Sequence, residues 1–134
     1  LDQLFIMKMK PNEYSLRIVA TVKAFRLLRG MQQSDIAKKL SACDCSYSKF
    51  ENGYKIVRVE DLKTISAALN ISVYLIGYIA EFYENLTIRQ VNWLAAFFDA
   101  GNQQKMTELN EEDFKFLVQQ IKLHLHELAS KKKE

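Results

Sequence analysis

The stretch that decides the fold is residues 33–53, which read QSDIAKKLSACDCSYSKFENG. Apolar residues recur at a spacing of three and four in both of its halves, as they do along one face of a helix. Residues 41–43 interrupt this pattern, and Gly53 closes the second half, where a left-handed residue costs little. The stretch therefore predicts two short helices joined by a tight turn.

Longer helical patterns lie on both sides of this pair. The apolar positions of residues 14–28 share one helix face, and Gly30 ends that segment. Residues 60–69 repeat the helical spacing and end at Asn70, a plausible C-terminal cap. Two short helices held between two longer ones are typical of a helix-turn-helix unit.

The same positions carry a family resemblance. The run from a helix-1 arginine through Q-x-x-L-A and I-x-x-x-E-x-G to L-x-x-I-x-x-x-L resembles the lambda-repressor-like (XRE) DNA-binding domains. The matching residues are Arg26, Gln33, Ile36, Ala37, Tyr47, Glu51, Gly53, Leu62, Ile65 and Leu69. The resemblance implies an all-α, five-helix DNA-binding domain over residues 14–78, followed by C-terminal helices over residues 79–134. We take residues 1–13 as an N-terminal arm, native or left over from cloning, outside the fold.

The resemblance also assigns roles to single residues. The third helix of such a domain enters the major groove of DNA by its N-terminal half. Base edges or the groove wall would then face Asp44, Cys45, Ser48 and Lys49, with Cys43 as the helix cap. The DNA backbone would be held by Gln33, Asn52, Tyr54, Lys55 and Arg58. Arg26 and Glu51 match positions that often form an ion pair, which ties the first helix to the end of the recognition helix.

Some positions depart from the family pattern. Ser41 replaces the usual turn glycine, and a left-handed serine costs about 1 kcal/mol. Val57 stands where many members have a proline. Asp44 accepts a hydrogen bond from cytosine but repels phosphate, and the recognition helix contains no arginine. The DNA sequence that is read does not follow from these residues.

Composition excludes several other classes of protein. The 134 residues are 49% hydrophobic and 26% charged, with one proline and four glycines, which argues against both disorder and a β-sandwich. No run approaches the roughly 20 apolar residues of a membrane span. Residues 1–78 carry a net charge of +5 and residues 79–134 a net charge of −2. This division favours a polyanion partner at the front and a protein partner at the back.

Little in the chain suggests catalysis or metal binding. His124 and His126 diverge on a helix and do not share a metal, so we interpret both as surface or dimer-edge residues. Cys43 and Cys45 are too close in sequence to pair readily, which favours a reducing cytoplasm; inert thiols are the default and a redox role the alternative. We predict no enzyme, no metal and no cofactor.

The last helix carries an apolar stripe at heptad-like spacing, formed by Phe114, Val118, Ile121, Leu125 and Leu128. The stripe fits a dimer contact, although two heptads fit an amphipathic helix packed on its own domain as well. Trp93, Phe97 and Phe98 in the preceding segment are interpreted as core. The prediction is a cytoplasmic, homodimeric transcriptional repressor that binds double-stranded DNA at a two-fold operator. The alternative is an antitoxin whose C-terminal helices bind a partner protein.

Overall fold

The computed structural model describes residues 13–100 and 106–131, and this part of the chain is all-helical. Seven helices follow one another: α1 (Glu13–Leu28), α2 (Gln33–Lys39), α3 (Asp44–Glu51), α4 (Val59–Leu69), α5 (Val73–Phe82), α6 (Ile88–Phe98) and α7 (Glu111–Lys131). The all-α prediction is confirmed. The predicted arm, residues 1–13, falls almost wholly outside the described residues.

The helix ends follow local chemistry that the sequence displays. Cys43, Ser72 and Thr87 cap α3, α5 and α6, each accepting a backbone N–H with its side chain. Gly30 and Gly53 have φ values of +68° and +79°, so both adopt the left-handed conformation predicted for them. Ser41 and Asn70 adopt it as well, with φ values of 53° and 54°. The serine therefore keeps the backbone of the usual turn glycine.

One continuous core joins the front and the back of the chain. Helix α1 is central, and it packs most extensively against α7 and next against α5. The pair α2 and α3 packs together and against α4 and α1. Ala37 is fully buried, which lets α2 and α3 approach closely, and the core runs on to Ile121 and Leu128 of α7. Residue 78, where the sequence interpretation divided the chain, lies inside α5.

Across the two described ranges, no single helix is long and apolar enough to cross a membrane; α4 and α5 reach that length only together, with a bend of 97° between them.

Candidate nucleic-acid interface

Helix α3 has one buried face and one exposed face. Tyr47, Phe50 and Glu51 are buried, and the two rings stack with their centroids 5.6 Å apart. Asp44 and Cys45 are exposed in the first turn, as is Lys49 one turn later. Ser48, between the two faces, is half-buried. The N-terminal half of the helix is therefore held from behind and open in front.

Two free thiols sit at the start of this helix. The Sγ atom of Cys43 accepts a hydrogen bond from the Ser46 backbone N–H at 3.3 Å. The Sγ atoms of Cys43 and Cys45 lie 2.6 Å apart, and both residues are exposed. The sequence interpretation treated the two as unlikely to pair, but the extended cap residue and the first helical turn bring their side chains together.

A buried ion pair fixes the other end of α3. Arg26 donates from Nε to Glu51 Oε2 at 2.6 Å and from Nη2 to Glu51 Oε1 at 2.9 Å. Nη1 of the same guanidinium donates to the Met31 carbonyl at 2.9 Å. Both side chains are almost fully buried, so this is the pair that the sequence resemblance implies, in bidentate form. It connects α1 to the last turn of the recognition helix.

The ion pair shifts the pKa of both partners. Burial alone raises the pKa of Glu51, but the hydrogen bonds from Arg26 and Gln33 outweigh it and leave the pKa below its ordinary value. Burial alone lowers the pKa of Arg26, and the hydrogen bond and charge of Glu51 reverse that effect. Both groups are thus held in the charged form.

Gln33 contacts the buried ion pair as well as the edge of the predicted interface. It is the first residue of α2 and half-buried, and its Nε2 donates to Glu51 Oε1 at 3.0 Å. A primary amide has two N–H donors, so one remains for a phosphate. The structure places Gln33 as a support for the ion pair, a role that the sequence interpretation did not give it.

The residues after α3 form an exposed basic rim. Lys55 donates to the Ser46 hydroxyl, Arg58 is exposed at the start of α4, and Tyr54 is 69% exposed. Asn52 donates from Nδ2 to the Ser48 carbonyl at 2.8 Å, which closes the end of the helix. The rim and the exposed face of α3 adjoin each other, as a groove contact flanked by phosphate contacts requires.

Helix α7 braces the recognition helix from behind, which the sequence analysis missed. His124 is buried, and its Nε2 contacts the Glu51 carbonyl at 2.6 Å. Its Nδ1 lies 3.2 Å from Glu127 and 3.3 Å from the Lys23 ammonium. Lys131 donates to Asn52 Oδ1 at 2.6 Å. The interpretation of His124 as a surface residue is wrong; His126 is exposed, as expected.

The apolar stripe of α7 packs inside its own chain. Ile121 and Leu128 are buried against the core, and Phe114, Val118 and Leu125 are half-buried against it. The surface that covers the stripe is mainly α1. Since buried residues cannot contact a second copy, the assignment of Ile121 and Leu128 to a dimer contact needs correction: the alternative, an amphipathic helix packed on its own domain, describes the stripe.

An aromatic surface lies instead on α5 and α6. We use that name for Tyr74, Tyr78, Phe82, Trp93 and Phe97, which are between 39% and 73% exposed. The Trp93 and Phe97 rings stack with their centroids 5.6 Å apart. A groove of about 610 Å³ opens between α1 and the α5 part of this surface, formed by Tyr74, Tyr78 and Phe82. Trp93 and Phe97 were interpreted as core; both point outward, and only Phe98 is half-buried.

Among the described residues, no group of three or more His, Cys, Asp or Glu side chains is placed to hold a metal ion.

The fold and the exposed recognition helix define a helix-turn-helix DNA-binding domain, the kind of domain that transcription regulators use. Comparison with protein families agrees: residues 22–76 match the family described as helix-turn-helix. This segment is a lambda-repressor-like (XRE) helix-turn-helix domain, as its sequence resemblance predicts. The searches of curated proteins and of solved structures returned no match.

Proposed function

We propose that the chain is a sequence-specific transcription regulator, acting as a repressor in the cytoplasm, that binds double-stranded DNA through α3. The observation that carries the proposal is the two-sided character of this helix. Its back is fixed by the Arg26–Glu51 pair, by stacked aromatic rings and by His124, while Asp44, Cys45 and Lys49 face outward. Such rigid presentation is what a helix needs to read base edges without a large loss of entropy on binding.

The exposed side chains divide into two roles. We assign base edges and the groove wall to Asp44, Cys45, Ser48 and Lys49, of which Lys49 is the cation best suited to guanine acceptors. We assign phosphates to Gln33, Asn52, Tyr54, Lys55 and Arg58. Asn52 and Ser48 already bond to each other, so they act by fixing the end of the helix as well as by contact.

We propose that a second copy of the chain completes a two-fold operator. Helix-turn-helix proteins commonly bind two half-sites about one helical turn apart as symmetric dimers. Because the α7 stripe is covered by α1, we move the dimer contact to the aromatic surface. Aromatic residues are enriched at interfaces, and an isologous contact needs one surface that complements itself.

The proposal is tested by titrating the protein against duplexes selected from a random DNA library, at several fixed salt concentrations. We expect the affinity of the wild-type chain to fall steeply with salt, because each phosphate contact releases a counterion. Lys49→Ala should weaken binding and relax the preference at one base pair. Lys115→Ala, which removes an exposed charge from α7, is the matched control and should change neither. Equal binding of every duplex by the wild-type chain would refute sequence-specific recognition.

An antitoxin-type function is the second candidate. Trp93 and Phe97 are exposed on α6, outside the matched residues 22–76, where a partner protein has access. Antitoxins of this fold also bind DNA, so a mobility shift does not separate the two. The two functions differ in the assembly that each one predicts. A regulator gives a homodimer by light scattering, whereas an antitoxin binds the product of a toxic neighbouring reading frame through the aromatic surface.

A further inference from the structure

Two cysteine thiols meet at the DNA-facing end of the recognition helix. Cys43 precedes α3 and Cys45 is its second residue, with their Sγ atoms 2.6 Å apart. Neither side chain is covered by other residues, so a small oxidant reaches both. Exposed thiols in contact, one of which accepts a backbone N–H at a helix N-terminus, are the arrangement of a reactive pair and not of structural cysteines, which are buried and inert.

The two thiols are chemically different. The Sγ atom of Cys43 accepts a hydrogen bond from the Ser46 backbone N–H and shares a second one with the Cys45 thiol, and these contacts lower the pKa of Cys43. The same contact with Cys43 raises the pKa of Cys45. Cys43, whose sulfur accepts the Ser46 N–H, is thus the better source of the attacking thiolate.

We propose that Cys43 and Cys45 form a reversible peroxide-oxidised dithiol site, which closes to an intrachain disulfide at the start of the recognition helix. The Cys43 thiolate attacks the terminal oxygen of a hydroperoxide, whose O–O bond breaks. Cys43 becomes a sulfenic acid, and the other oxygen leaves as an alkoxide or hydroxide that takes a proton from solvent to give an alcohol or water. Cys45 sulfur then attacks the sulfenic sulfur, and the hydroxyl leaves as water with the Cys45 proton. Two thiols lose two electrons in total, and the peroxide gains them.

Formation of the disulfide changes the start of α3, the helix that the proposed function places in the major groove. A disulfide sulfur is a weaker acceptor than a thiolate, so the Ser46 N–H loses its cap when Cys43 bonds to Cys45. The Cys45 thiol also disappears from the exposed face. If the proposed function holds, we expect oxidation to weaken operator binding about three- to tenfold, the effect of losing one helix cap. A dithiol reductant restores the binding.

The experiment treats the reduced full chain with hydrogen peroxide and follows intact mass, free thiols and non-reducing gel mobility. We expect wild-type protein to lose two hydrogen atoms and both thiols while remaining a single chain. Cys45→Ser should stop at a sulfenic acid on Cys43 that a dimedone probe traps, and Cys43→Ser should react far more slowly. Retention of both thiols, a cross-link between chains, or equal rates for the two variants would overturn the dithiol site.

The DNA consequence is measured separately, on the same samples, with a selected duplex. Weaker binding after oxidation, restored by dithiothreitol and absent in Cys43→Ser, which keeps a capping side chain and cannot form the disulfide, supports the regulatory role. Unchanged binding by the oxidised wild-type chain would overturn that role and leave the dithiol chemistry standing. Failure of the reduced protein to bind any duplex would instead refute the proposed function, since the mass and thiol measurements do not depend on DNA.

Discussion

Breaking the Arg26–Glu51 pair from one side should cost much of the stability of the fold. Glu51→Gln keeps the size of the side chain and removes its charge, which leaves the Arg26 guanidinium buried without a counter-ion. The side chains are only 8% and 2% exposed, so water screens little of this interaction. Removing one partner of such a pair costs about 3–5 kcal/mol. Domains are stable by about 5–15 kcal/mol, so a large fraction of the total is at stake.

A double variant distinguishes the cost of an unpaired buried charge from the cost of lost packing. Arg26→Met with Glu51→Met removes both charges together and fills most of the same volume, so about 2 kcal/mol or more of the single-variant loss should return. Urea unfolding followed by circular dichroism gives the free energy of unfolding for the wild type, Arg26→Met, Glu51→Met and the double variant. A coupling energy below about 1 kcal/mol, or a double variant no more stable than Glu51→Met, would show that the cost comes from burial of the site and not from loss of the ion pair.

The pH dependence of the free energy of unfolding tests the same ion pair. The folded state lowers the pKa of Glu51 below its ordinary 4.5, so the unfolded chain binds the proton more tightly. The stabilisation is therefore complete above about pH 5 and is lost as the pH falls through 4.5 toward the lowered pKa. The double methionine variant lacks this component, and its unfolding free energy should depend less on pH across that window. Parallel pH profiles for the wild type and the double variant would contradict this expectation.

Three further predictions concern the interface and its supports. Lys49→Ala should relax the base preference at one operator position, which selection from a random library with each protein measures. An unchanged preference would mean that the proposed placement of the recognition helix is wrong. His124→Ala leaves the carbonyl at the end of α3 without its buried partner, so unfolding should cost about 1–3 kcal/mol less, whereas His126→Ala, on the exposed face, should be neutral in the same urea titration. If the proposed dimer forms through the aromatic surface, Trp93→Ser with Phe97→Ser should yield a monomer by light scattering while circular dichroism stays the same; a dimer that persists would exclude the aromatic surface as its interface.

Local structure was predictable because the residues that set it are close in sequence. Gly30 and Gly53 adopt the left-handed conformation that their positions require, and Cys43 caps α3 as predicted. For α1 to α4, the spacing of apolar residues located each helix within one or two residues at either end. The Arg26–Glu51 contact followed from the family resemblance, since no local pattern identifies a contact 25 residues apart.

The position of α7 was not predictable, because an amphipathic stripe shows that one face is buried and not what covers it. A heptad-like stripe suits a partner helix and the chain's own α1 equally well. The residues most deeply buried on α7 are Leu117, Ile121, His124 and Leu128, at a spacing of four, three and four. His124 is in register with these buried residues, and this spacing is the signal by which its burial could have been found. Its partner, the Glu51 carbonyl, belongs to the backbone and leaves no trace in side-chain patterns.

The sequence did not predict that the aromatic surface faces outward, for a related reason. Trp93 and Phe97 are large and apolar, and burial is the default for such side chains. They lie four residues apart, on the side of α6 away from Val91 and Ala95, which occupy its buried face. The small residues fill the contact within the chain, and the large ones are left outside, where the proposed dimer contact would cover them.

The most direct test of DNA reading by α3 is base-preference selection with wild-type protein beside Lys49→Ala, under identical salt. We expect a two-fold sequence for the wild type and a loss of preference at symmetric positions in its half-sites for the variant. Identical sequence logos from the two proteins, or no enriched sequence from the wild type, would mean that α3 does not read the bases.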